Sequence, residues 1–309
     1  MEPEYNLSKE VEKNKSYTVA KANSLVREAK YNMSLGQQRM LNFLISRISP
    51  QARSFDDIGS PARLGWISFQ IQEFARVFDM DPDSGTTYRT VKEWLLTLKK
   101  RAWWTKIDGK DKIMSWLDEV EIEPNSGKCS VTFFRPIEPY LVALTESGNY
   151  TSFSLLYTTR FKSSYSDRFY ELFKSYEFRS KVKNSSDENV KEVVFRVDEL
   201  RSKFDEKEFG SNKVTNSLAN YSYGEFKRVL DRCLKEINQY TDIDVTYEPI
   251  KKGRSVYQLK FFVRSVMGDE LLDRTAACKR DEMGFSTKKQ VEGQLDFLTP
   301  LERKITVIP

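Results

Sequence analysis

Hydrophobic positions along the chain fall into two patterns, one spaced for helices and one alternating as in strands. Ser34 and Gln37 have the spacing of a helix-capping pair, and Leu35, Met40, Leu41, Leu44 and Ile48 then share one helical face. Residues 66–71 alternate like a short strand, 72–79 read as a helix, and Asp81-Pro82-Asp83-Ser84-Gly85 marks a turn. A further helix is expected over 86–100, with Val91, Trp94, Leu95 and Leu98 on one face. Strand-like runs follow around the turns Asp108-Gly109 and Asn125-Ser126-Gly127.

The same order returns downstream. A helix is expected over 165–178, a strand over 193–197, and a helix capped by Asp198 reaching about 204. A polar loop over 210–220 leads to a long helix at 223–240 and to strands at 244–248 and 256–263. Side chains repeat along with the elements. Phe69, Ile71, Glu73, Phe74, Phe78 and Asp79 recur at equal spacing as Phe195, Val197, Glu199, Leu200, Phe204 and Asp205. Arg39-Met40-Leu41 with Phe43-Leu44 matches Arg168-Phe169-Tyr170 with Leu172-Phe173, and Glu123-Pro124 before Gly127-Lys128 matches Glu248-Pro249 before Gly253-Arg254. One module used twice explains three blocks in the same order. Helix, strand, helix, turn, helix and hairpin is the order of a winged helix-turn-helix. The fold class expected is therefore α+β, with two tandem winged-helix domains. Their limits are read as 17–150 and 151–267, with a flexible N-terminal tail over 1–16 and a loosely ordered tail over 268–309. The polar stretch 181–191 reads as a surface loop.

At 309 residues the chain is long enough for two such cores, and 39% hydrophobic against 31% charged residues is the balance of a soluble protein. No run of about 18 apolar residues is present, so no membrane span is expected. The polar, acidic first 15 residues do not read as a signal peptide, and a cytoplasmic protein follows. There is no histidine, and the three cysteines, Cys129, Cys233 and Cys278, lie far apart. Histidine-dependent catalysis, histidine-ligated metal and a disulfide framework are thereby excluded, and no cofactor or metal is expected. The net charge of +5 is unevenly spread: 1–150 hold 21 basic and 20 acidic groups, 151–267 hold 22 and 17, and 268–309 hold 7 and 8. A polyanion is thus drawn to the second module.

Within that module the helix at 223–240 is the candidate reader of the DNA major groove, the groove wide enough to admit a helix. Phe226, Val229, Leu230, Cys233, Leu234 and Ile237 share one face. Gly224, Arg228, Asp231, Arg232 and Lys235 lie opposite, with Lys227 flanking them. Base edges are met by the N-terminal turns, which singles out Tyr223, Lys227 and Arg228, with Arg232 one turn on. An ordinary solvated helix face has the same pattern. Lys251, Lys252 and Arg254 stand around Gly253 at a hairpin tip, placed for phosphates or the minor groove. Lys162, Ser164 and Tyr165 begin the module's first helix, where a phosphate or a plain helix cap fits equally. Thr87, Arg89 and Lys92 are the corresponding candidates in the first module, in more acidic surroundings. Trp103 and Trp104 suit a core or a dimer interface better than base stacking.

Several runs carry a family resemblance: Asn23-Ser24-Leu25-Val26, residues 35–48, Phe161-Lys162-Ser163-Ser164-Tyr165-Ser166-Asp167-Arg168-Phe169-Tyr170-Glu171-Leu172, Tyr223-Gly224-Glu225-Phe226-Lys227-Arg228-Val229-Leu230 continuing to Glu236-Ile237-Asn238, and Lys251-Lys252-Gly253-Arg254-Ser255-Val256. From about residue 17 to 265 the chain resembles the RepB/RepE-type theta-replication initiators of bacterial plasmids. Phe169 departs from the leucine often found there, and the 210–220 loop is longer than expected. The resemblance implies a non-enzymatic protein that binds directly repeated origin DNA and helps open it. It also implies a homodimer that represses its own gene, and host replication proteins as partners. Gln294, Leu295, Asp296, Phe297 and Leu298 are similar to the peptide by which bacterial proteins bind the sliding clamp, a match that chance also produces. A winged-helix transcriptional regulator without a replication role is the alternative. A tyrosine nickase is disfavoured by the missing histidines.

Overall fold

The computed structural model describes residues 17–274 except 32, 50, 108, 125, 178–189, 205–217 and 272. The expected tail at 1–16, most of the two polar loops, and the clamp-like segment from Gln294 to Leu298 lie outside the described residues.

β1 (Thr18–Ala22) runs into α1 (Asn23–Glu28), and α2 (Leu35–Ile45) follows. The cap read from the sequence is formed: the Ser34 amide donates to Gln37 Oε1 at 3.0 Å, and the Gln37 amide donates to Ser34 Oγ at 3.3 Å. Two N–H groups that a helix start leaves open are thus satisfied. Next come β2 (Trp66–Gln70), α3 (Ile71–Val77), α4 (Gly85–Lys100), β3 (Trp103–Ile107), β4 (Lys110–Met114), β5 (Leu117–Ile122) and β6 (Lys128–Phe133). β2, β6 and β5 form an antiparallel sheet in that order, and β3 pairs with β4 as a separate hairpin. Trp103 is buried and stacks on Trp116 at 5.1 Å between ring centres, so it serves the core.

The chain goes on through β7 (Tyr150–Ser154) to α5 (Ser164–Lys174). It continues through β8 (Val190–Arg196), α6 (Val197–Ser202) and α7 (Tyr223–Tyr240) to a long hairpin, β9 (Ile243–Lys252) and β10 (Ser255–Ser265). The strand order β8-β10-β9 repeats that of β2-β6-β5. Each half is a winged helix, as the repeat predicts.

Strand register corrects one of the repeat's three blocks. Phe69 faces Cys129 and Phe195 faces Leu259 on the central strands, and Ile122 and Pro249 face those same two residues from the other side. Glu121-Ile122 is therefore equivalent to Glu248-Pro249, and the match of Glu123-Pro124 is two residues out of step. The second hairpin is longer, so its turn residues no longer lie at the same distance from the sheet. The helix expected to reach 178 ends at Lys174, because Tyr176 and Glu177 bond back three residues, to Phe173 and Lys174, and tighten the chain into a turn.

Two features that the sequence reading passes over tie the halves together. β1 pairs antiparallel with β7, from Thr18 opposite Ser154 to Ala22 opposite Tyr150. The hydrophobic core is also continuous through both halves, and a buried polar cluster lies within it. Lys21 of β1 donates to Asn42 Oδ1 at 2.7 Å and to Glu171 Oε1 at 2.5 Å, with both ions wholly buried. Gln38 donates to the same Glu171 oxygen at 3.3 Å, and Asn42 donates to both Asp167 oxygens at 3.3 and 3.2 Å. Arg168 donates to the Tyr31 hydroxyl at 2.6 Å and to the Ala29 carbonyl at 3.1 Å. Burial, reinforced by the charge of Glu171, pushes the Asp167 carboxyl up to about 8 against the pull of Lys21, Arg168 and Arg39. For Lys21 burial is the largest single influence and acts downward, but Glu171, Tyr31 and Asp167 together outweigh it and hold the ammonium above the usual lysine range. The cluster fixes α5 against β1 and α2, and with them the second half against the first. Among the described residues no helix is long and apolar enough to cross a membrane.

Candidate nucleic-acid interface

α7 begins with a second capping pair. The Ser222 amide donates to Glu225 Oε2 at 2.8 Å and the Glu225 amide donates to Ser222 Oγ at 3.3 Å. The Ser222 hydroxyl also donates to Glu225 Oε2 at 2.8 Å, and this bond, with that of the Ser222 amide, holds the Glu225 carboxyl below its ordinary range. Phe226, Leu230, Cys233, Leu234 and Ile237 are buried beneath the helix. Lys227, Arg228, Asp231, Arg232 and Lys235 are exposed on its outer side, and Tyr223 is half-buried in the first turn. The helical spacing in the sequence placed each of these on its observed side. Cys233 carries no reactive thiol, since burial pushes it up to about 12, and Cys129 is pushed to about 11 in the same way.

Side-chain bonds join α7 to the hairpin beside it. The Asn238 amide donates to the Val245 carbonyl at 3.0 Å and its oxygen accepts from the Val245 N–H at 2.8 Å, so a side chain extends the edge bonding of β9. Nearer the N-terminus the Tyr247 hydroxyl donates to Asp231 Oδ1 at 2.7 Å, and Lys227 donates to Asp231 Oδ2 at 2.5 Å.

The hairpin is a projecting wing. β8 pairs no further than Gln258, whereas β9 and β10 continue pairing to Lys252 and Ser255. Gly253 turns the chain with φ of 64°, a conformation that favours glycine. Pro249 is tolerated within β9 because β9 is an edge strand. Lys251, Lys252 and Arg254 are exposed at the tip. The Lys252 ammonium and the Arg196 guanidinium each lie 5.4 Å from the ring of Tyr257, which is itself exposed. Sequence reading passes over Arg196, Tyr247 and Tyr257, because only the sheet register brings them to this side of the wing.

The remaining candidates divide. Lys162 is exposed, but its amide donates to Glu236 Oε2 at 3.1 Å, and Ser163 caps the Tyr165 amide at 3.2 Å. The start of α5 is thus satisfied within the protein. Ser164 is half-buried there, and the ring of half-buried Tyr165 packs against Phe204 with centres 6.0 Å apart. On α4, Arg89 and Lys92 are exposed. Thr87 is not: it is 5% exposed, one turn before Val91 on the inward face shared with Leu95 and Leu98, and its side chain is withdrawn from any surface contact. The first wing differs in charge from the second. Its Glu121 and Glu123 pair with Arg63 at 2.6 Å and Lys128 at 2.7 Å, and Asp118 and Glu119 stand on the same strand, so this hairpin is acidic where the second half has a basic one.

Comparison with known proteins agrees with this architecture. A family model described as initiator replication protein, WH1, matches residues 18–174, and one described as initiator Rep protein, WH2, matches residues 196–263. The PI protein of Escherichia coli is 28% identical over 187 residues, which is 58% of this chain and 55% of that protein, so the chain spans about half the length of this relative. A crystal structure of Pi initiator protein in complex with iteron DNA has the same fold, with a TM-score of 0.59 at 20% identity over 81% of this chain and 98% of that one. With the first model taking in half of the chain and the second residues 196–263 beyond it, this protein belongs to the initiator replication protein family.

Proposed function

We propose that this protein initiates plasmid replication by binding directly repeated origin DNA, with α7 in the major groove and the β9–β10 wing on the flanking backbone. The observation that carries this reading is the exposed cationic face of α7 standing beside a projecting basic wing, in a chain of this family. Arg228 and Lys227 face base edges from the first turns, with Tyr223 beside them and Arg232 one turn on. Lys251, Lys252 and Arg254 meet phosphates or the minor groove, and the exposed side chain of Lys162 is available to a phosphate although the start of α5 is itself satisfied. Arg89 and Lys92 give the first winged helix an auxiliary contact. The protein acts by binding and opening DNA, without cutting it, and its dimer represses its own gene.

Arg228 and Lys252 test the docking. Arg228→Ala is expected to cost about 1–3 kcal/mol on the specific duplex and much less on random DNA, since an arginine can bond two acceptors of a guanine. Lys252→Ala is expected to weaken both duplexes alike and to shallow the salt dependence by about one unit of log K per log salt. Equal losses on both duplexes for Arg228→Ala would remove α7 as the reader. A footprint that shows no tandem direct repeats beside the gene would favour a transcriptional regulator instead.

Self-association is assigned to the first winged helix, where Leu64, Leu96 and Ile113 are 57, 48 and 46% exposed. Replacing all three with serine is expected to keep the chain monomeric at concentrations where the unaltered chain dimerises. Sedimentation that shows unchanged dimers would move the interface elsewhere.

A further inference from the structure

An aspartate is out of place in the middle of a surface that meets a polyanion. Asp231 lies on the outer face of α7 among Lys227, Arg228, Arg232 and Lys235, and its side chain is 45% exposed. Both of its oxygens are engaged. Lys227, one turn earlier, donates to Oδ2 at 2.5 Å, and Tyr247 of the wing donates to Oδ1 at 2.7 Å. Tyr247 is a fixed donor: its ring packs against buried Phe261 with centres 5.5 Å apart, and burial together with Asp231 raises its hydroxyl to about 12. The pair with Lys227 is too exposed to add much to stability, since surface ion pairs of this kind contribute little. Its consequence is for binding.

We propose that Asp231 is a specificity-determining residue, which restrains Lys227 and disfavours arbitrary phosphates on the face of α7 while it ties that face to the wing. This inference rests on the reading of α7 as the base-reading helix. Non-specific DNA binding comes almost entirely from cations that neutralise phosphates and release counterions. A lysine already paired along its own helix gains less from a phosphate, and a carboxylate beside it repels one. Base edges are tolerated better, because the amino groups of cytosine and adenine are donors that a carboxylate can face. The restraint also leaves Lys227 with less freedom to lose on docking, so a correct site is favoured relative to a random one. Tyr247 has a separate part. Its hydroxyl couples the outer side of α7 to β9, so that helix and wing meet the duplex at a fixed spacing.

The test uses the full chain and two duplexes of equal length and composition: one carries the sequence that the protein itself enriches from a random library, the other a scrambled version of it. Asp231→Asn is expected to bind the scrambled duplex about three to ten times more tightly and with a salt slope steeper by about one, while binding the enriched duplex little better. The ratio of the two affinities then falls several-fold. In a Lys227→Ala background Asp231→Asn is expected to give most of that gain no longer, because the lysine it released is gone. Tyr247→Phe is expected to weaken the enriched duplex several-fold and leave the scrambled one unchanged. Two results would overturn the proposal. If Asp231→Asn changes neither duplex, the pair is an ordinary surface contact; if it weakens the enriched duplex alone, Asp231 reads a base directly. Arg228→Ala in the same assay keeps the two levels apart. A selective loss for Arg228→Ala with no effect of Asp231→Asn sinks only the restraint, whereas equal losses for Arg228→Ala sink the reading of α7 itself.

Discussion

Gly36 shows how a single residue type can be legible in kind and not in cause. In the sequence it is a weak position in the first turn of a helix, where alanine would improve the intrinsic preference by about 1 kcal/mol. In the fold a Cβ at Gly36 would run into the indole of Trp94 on α4, which also packs edge-on to Phe74. Overpacking of this kind costs about 1–3 kcal/mol and outweighs the gain in propensity. Gly36→Ala is therefore expected to lower stability in urea melts, and adding Trp94→Leu is expected to recover most of the loss. Recovery that fails would mean that the indole is not the obstacle. Lys21 is a harder case. Nothing in Thr18-Val19-Ala20-Lys21-Ala22 distinguishes a lysine bound for the interior from one bound for solvent, because its partner Glu171 is 150 residues away. Thr87 fails for a related reason. As part of a polar helix start it resembles its exposed neighbours Thr86 and Arg89, and only the helical phase of Val91 turns it inward.

Among the elements, α5 couples sequence, charge and pH most directly. Its Asp167 is buried and its carboxyl is raised to about 8, against an ordinary aspartate value near 4 in the unfolded chain. A group raised on folding favours the folded state most below its unfolded value, and that contribution fades as the pH climbs to the folded one. Stability in urea is thus expected to fall between about pH 4 and pH 8. Asp167→Asn, which carries the uncharged shape at every pH, is expected to flatten that fall. An equally steep fall in the variant would place the titration elsewhere. The order of the helix, strand, helix, helix and hairpin within each winged helix was readable, since both halves keep the apolar spacing of these elements. The short strands β1 and β7 were not, because neither has a partner nearby in sequence. The start of α7 was read at Tyr223 from its apolar spacing, and its cap was also there to read: Ser222 and Glu225 have the same spacing as Ser34 and Gln37. The third repeat block misled by two residues, because glycine turns at the tips of unequal hairpins look alike while the strands beneath them are offset. Of the proposed binding face, the exposed side of α7 followed from helical phase alone. The clasp of Tyr247 on Asp231 did not, because it depends on where a separate strand lies.

For the molecule as a whole, the buried cluster decides whether two winged helices behave as one body. Removing one partner of a buried ion pair costs about 3–5 kcal/mol, because the remaining charge is left uncompensated. Lys21→Met is expected to destabilise the full chain by about that much in chemical unfolding, and Lys21→Met with Glu171→Met is expected to restore most of it. A double variant as unstable as the single one would show that the cost lies in packing, not charge. The same pairing has a consequence for how the protein is made. Lys21 leaves the ribosome 150 residues ahead of Glu171, an interval of about 8–30 s at ordinary rates of synthesis. Throughout it β1 has neither its strand partner β7 nor its counter-ion, and a lone ammonium cannot enter the core. The first winged helix therefore emerges with one margin unsealed and its final closure deferred until α5 has been translated. In that window the nascent chain is open to chaperones, and a pause in translation before α5 prolongs the exposure without changing any contact of the finished fold.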